Sequence, residues 1–85
     1  MEIIKVKARI KEIIFETTNI RVEDIGDEAM FVEDLEFDSL TMMEIAVNVD
    51  QEFDLDLPED DFDKLVNVNA CAMLVMDYKC KEVRS

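Results

Sequence analysis

One glycine and one proline in 85 residues leave this chain few places to reverse direction sharply. Tight hairpins draw on glycine and proline, so a turn-rich β architecture is disfavoured and helices joined by longer connections are expected. The apolar spacing agrees. Ile3, Val6, Ile10, Ile13 and Ile14 recur at helical spacing, with Glu2, Lys5, Lys7, Arg9, Lys11 and Glu12 on the other side. That pattern predicts an amphipathic helix from about residue 2 to about residue 17. Thr17-Thr18-Asn19 closes it, because asparagine enters the left-handed conformation at a helix C-terminus in place of glycine.

Residues 20–37 form a connection longer than the usual loop. Its apolar members Ile20, Val22, Ile25, Phe31 and Leu35 predict a packed loop rather than a linker. Asp38 is a helix N-cap by residue type and Ser39 the first helical residue. The second helix runs from Ser39 to about Phe53, with Leu40, Met43, Ala46, Val49 (or Asp50) and Phe53 as its expected buried stripe. Met42, Ile45 and Val47 then fall on the outer side beside Glu44. Asp54-Leu55-Asp56-Leu57 alternates like a short extended segment, and Leu57 leaves the helical region because proline follows. Pro58 opens a short third helix with Glu59, Asp60 and Asp61 in its first turn. Asn67 caps a last helix from Val68 to about Lys79, lined by Val68, Cys71, Ala72, Val75 and Tyr78. Lys79, Lys81 and Arg84 complement its C-terminal dipole. The expectation is a single all-α domain over 1–85: a small bundle of three main helices and one short helix, with a long packed loop between the first two.

Charge narrows the function classes. The chain carries 22 acidic and 9 basic residues, a net charge of −13. Phosphate backbones and anionic bilayers need a basic surface, so nucleic acid and stable membrane association are excluded as partners, and basic protein patches are the complement. No signal peptide or spanning segment is expected. Cys71 and Cys80 lie nine residues apart, about 13 Å along one helix and too far for a disulfide, which fits reduced thiols in a cytoplasmic protein. The acids at Asp54, Asp56, Asp60 and Asp61 fail as a calcium loop, because Pro58 and Glu59 fall where a ligand and a glycine are needed. No dedicated metal site is expected.

The chain contains no histidine, so neither Ser39 nor the cysteines have the usual base for nucleophilic catalysis. No catalytic residue is expected. The Ser39 hydroxyl instead stands where free backbone N–H groups and the positive end of a helix favour a phosphate ester. Asp38-Ser39-Leu40 alone would be an ordinary helix cap. Its flanks give it weight.

Phe31-Val32-Glu33-Asp34-Leu35-Glu36-Phe37-Asp38-Ser39-Leu40, then Glu44, then Glu52-Phe53-Asp54-Leu55-Asp56-Leu57-Pro58, resembles the acyl carrier proteins. The likeness covers about Ile3 to about Tyr78 and suggests a free-standing, monomeric member. It implies that Ser39 carries a covalent 4′-phosphopantetheine arm, placed by a phosphopantetheinyl transferase from coenzyme A with magnesium. The arm's thiol would hold acyl groups for acyl-processing enzymes with basic docking patches. The family's recognition helix corresponds to the second helix, which makes Asp38, Leu40, Glu44, Val47 and Asp50 partner-docking candidates. The space between the helices shelters the acyl chain in some members. Two positions depart from the family pattern. Glu36 replaces a common glycine, adding a carboxylate before Ser39, and Thr41 replaces a common acid after Leu40. Both open specialised polyketide-like, lipid or natural-product pathways beside fatty-acid synthesis. An acidic helical adaptor that binds a basic partner without an arm is the alternative reading, separated by whether the Ser39 hydroxyl is used chemically.

Overall fold

The computed structural model describes residues 2–83, the side chains of 80–83 excepted. Arg84 and the side chains of Cys80 and Lys81, assigned above to the last helix, lie outside the described residues. The elements are α1 (Ile3–Thr18), a 3₁₀ turn (Val22–Asp24), α2 (Ser39–Phe53), a 3₁₀ segment (Glu59–Lys64) and α3 (Val68–Val83). No strand occurs among the described residues.

Helix α1 packs against both α2 and α3. It does so through Val6, Ile10, Ile13 and Ile14, all buried. Ile3, expected on that stripe, is exposed, because it stands in the first turn before the stretch that carries the packing. Asn19 ends α1 in the left-handed region (φ 66°), its N–H donating to Phe15 O at 2.7 Å.

The 20–37 connection is packed as its apolar content requires. Ile25 and Phe31 are buried and Ile20 and Leu35 lean on the core, whereas Val22 faces outward from the 3₁₀ turn. Polar ties clamp this connection to the helices. Lys7 and Lys11 reach Asp27 at 3.4 and 2.7 Å, Asn69 N–H donates to Asp27 O at 3.0 Å, and Phe31 N–H donates to Val66 O at 2.9 Å. The lysines, Lys11 foremost, hold the Asp27 carboxyl below the usual carboxylate range.

Helix α2 has the expected bounds, and Ala46, Val49 and Phe53 of its expected stripe are buried, but in its first two turns Met42 and Ile45 face the core in place of Leu40 and Met43. Its buried residues are Ile45, Ala46, Val49 and Phe53, with Met42 packed against the core. Leu40 and Met43 are exposed. The helix is apolar on most of its circumference, so spacing alone admits two stripes, 40/43/46/49/53 and 42/45/46/49/53. Packing against α1 selects the second. Past α2 the chain does not run extended. Asp54 and Asp56 both adopt positive φ (54° and 56°), while Leu55 and Leu57 keep their alternate burial. Asp50 organises this loop, its backbone O accepting from Leu55 N–H at 3.1 Å and its Oδ1 from Leu57 N–H at 3.2 Å.

Pro58 precedes the 3₁₀ segment, which takes the place of the short third helix. Asp61 within it is buried; it accepts the Tyr78 hydroxyl and an ion pair from Lys64 at 3.0 Å. That hydrogen bond pushes the Tyr78 phenol up to about 12. Asn67 caps α3, its Oδ1 accepting from Ala70 N–H at 2.7 Å. Val68, Cys71, Ala72 and Val75 are buried as their spacing requires, and Tyr78 is half-buried. Burial pushes the Cys71 thiol up to about 12, leaving it a packing residue rather than a nucleophile.

Candidate functional site

The site is built by a tight turn, Met30–Phe37, that delivers the chain to the N-terminus of α2. Asp34 N–H and Leu35 N–H both donate to Met30 O (2.8 and 3.1 Å), and Asp34 Oδ2 accepts from Met30 N–H at 2.8 Å. Phe37 N–H donates to Phe31 O at 2.9 Å, and the two rings pack at 5.7 Å between centroids. Between these fixed points Glu36 is held at φ 59°. Asp38 then caps α2 as its residue type predicts, Oδ1 accepting from Thr41 N–H at 2.8 Å. That bond holds the Asp38 carboxyl below its ordinary range.

Ser39 is the first residue of α2 and is exposed. Its hydroxyl makes no hydrogen bond among the described residues. It stands on the wall of a groove of about 630 Å³ between α2 and the chain leading into α3. Met30, Val32, Phe37, Met42, Met43, Ala46, Phe62, Leu65 and Val66 make the groove apolar, and Glu33, Asp38 and Asp63 supply acids on its lining. The sequence placed Ser39 but gave no sign of these walls, which come from three separate segments.

The docking candidates divide in two. Asp38, Leu40, Glu44 and Val47 are exposed, and Leu40, Met43 and Val47 form the apolar stripe of α2 that the core leaves free. Met43, Glu44, Val47 and Asn48 border a shallow depression on this face. Asp50 is half-buried and its carboxylate is engaged by Leu57 N–H. From the last turn of α2 it holds the loop that follows.

The electrostatic setting is one-sided. From Arg21 to Lys64 the chain has seventeen acidic residues and no basic one between them. Three of the four cations of α1 are committed elsewhere: Arg9 pairs with Glu12 and Glu52 at 2.9 Å each, and Lys7 and Lys11 with Asp27. No group of three or more potential metal ligands occurs among the described residues. None of the described helices is long and apolar enough to cross a membrane.

A phosphopantetheine arm fits this geometry. A free, exposed hydroxyl sits at the positive end of a 15-residue helix, with a largely apolar groove opening beside it. The family model of the phosphopantetheine attachment site matches residues 8–74, which include the turn, all of α2 and the groove. The fold is similar to that of the acyl carrier protein from Enterococcus faecalis, with a TM-score of 0.75 at 23% sequence identity over 92% of this chain and 99% of that one. The chain has the acyl carrier protein fold and belongs to the phosphopantetheine attachment-site family.

Proposed function

We propose that this protein carries acyl intermediates as thioesters on a 4′-phosphopantetheine arm esterified to Ser39. The observation that carries this reading is the unengaged Ser39 hydroxyl at the first turn of α2, inside the span matched by the attachment-site family. An ordinary capping role is already filled by Asp38. When bound, the arm supplies the thiol on which acyl groups are held.

The chain's own residues do the rest. Asp38 fixes the backbone of the first turn from which Ser39 projects. With no histidine in the chain, the base that takes the Ser39 proton comes from the transferase. The protein is thus a carrier and not a catalyst. Leu40, Glu44 and Val47, with Asp38, offer acyl-processing enzymes an apolar stripe edged by acids, and the surrounding negative field draws basic docking patches. Glu36 and Thr41, set against the family's usual residues, favour service in a specialised lipid, polyketide-like or natural-product pathway over housekeeping fatty-acid synthesis. The buried, unreactive Cys71 suits a reducing cytoplasm. The test is thioester formation. Protein loaded with the arm and charged with an acyl group should release that group to neutral hydroxylamine. Release that survives removal of the arm would contradict the reading.

A further inference from the structure

Among the described residues, four that are not glycine have positive φ: Asn19, Glu36, Asp54 and Asp56. Three are of the types that tolerate this conformation through short polar side chains; glutamate is not. Glu36 cannot relax out of it. Leu35 N–H and Phe37 N–H on either side are tied to Met30 O and Phe31 O, and Phe37 is buried against Phe31. Strain that the surroundings enforce in this way is a pointer to function.

The Glu36 side chain returns nothing to the fold. It is exposed and makes no hydrogen bond or ion pair among the described residues. Its neighbours Asp34 and Asp38 are occupied by backbone N–H groups of Met30 and Thr41. With no basic residue between Arg21 and Lys64, the sequence around it supplies no cation. The carboxylate there raises self-repulsion, and any side chain at this φ strains the backbone. Its benefit therefore lies outside the chain.

We propose that Glu36 is a specificity residue: its carboxylate, three positions before Ser39, receives a cationic side chain of the enzyme that works on Ser39, and so selects enzymes that carry one there. The proposal rests on the Ser39 reading. It separates Glu36 from the exposed face of α2, because the contact is made from the turn and not from the helix.

The test is arm loading by the protein's own phosphopantetheinyl transferase with coenzyme A and magnesium, measured for wild type, Glu36→Gln, Glu36→Gly and Glu36→Lys. Gln removes the charge and keeps the strained backbone; Gly removes both. At about 20 mM salt, kcat/KM should fall about threefold, and equally, for Gln and Gly, and about tenfold for Lys, with the loss in KM. At about 0.5 M salt the four should converge. Equal rates for wild type and Glu36→Gln at low salt would overturn the proposal, as would unequal rates for Gln and Gly, which would assign the effect to the backbone. No loading of any variant would overturn the Ser39 reading and this proposal with it.

Discussion

Glu36→Gly should make the protein more stable although it removes a side chain and adds chain freedom. At φ 59° the Cβ of an L-residue is crowded, at a cost of about 1–2 kcal/mol. Glycine has no such crowding but gains freedom in the unfolded chain, which takes back about 0.5–1 kcal/mol. The net gain is about 0.5–1 kcal/mol. For a domain of this size that raises the melting temperature by about 2–8 °C. Part of any observed gain could come from removing one of the 22 acids. Glu36→Gln isolates that part, because it deletes the charge and keeps the Cβ. The assay is thermal unfolding by circular dichroism at about 0.5 M salt, where long-range repulsion is screened. Glycine should exceed glutamine by most of the predicted interval. A glycine variant no more stable than the glutamine variant would mean that the turn does not store the strain argued for it.

Two further outcomes follow from the charges. Asp27 has its carboxyl held below its ordinary value of 3.8, chiefly by Lys11. A depressed carboxyl stabilises the fold above its unfolded value, so wild type should melt above Asp27→Asn at pH 7, and that lead should vanish as the pH falls below 3.8. A lead independent of pH would mean that the lysine pairs do not stabilise the fold through charge. Glu44→Lys lies on the exposed side of α2 and should change stability by less than about 0.5 kcal/mol. It should slow both arm loading and acyl transfer at low salt. Unchanged rates would remove Glu44 from the docking surface.

The features legible in the sequence are those whose cause is local. Asn19, Asp38 and Asn67 end or begin helices through a hydrogen bond to a backbone group within four residues, so residue type and position were enough to place them. The α1 stripe was legible because its opposite face is charged. The first two turns of α2 were not, because Leu40 and Met43 are as apolar as Met42 and Ile45, and only packing against α1 decides between them, whereas Ala46, Val49 and Phe53 are buried as their spacing requires. At Asp54–Leu57 the alternation of burial was read correctly, but the backbone was not, since two left-handed aspartates give the same alternation as a strand. Ser39 was found by its neighbours in sequence. The groove beside it was not, because Met30, Met42, Phe62 and Leu65 meet only after the chain has folded. Glu36 was noted for its charge; its backbone conformation came only from the structure.

The central claim is that Ser39 is the point of attachment. The direct measurement is the intact mass of wild type and Ser39→Ala after incubation with transferase, coenzyme A and magnesium, followed by peptide mapping. The account predicts one arm on wild type, located on Ser39, and none on Ser39→Ala, whose helix Asp38 still caps. An arm on the alanine variant, or one mapped to another residue of wild type, would contradict it.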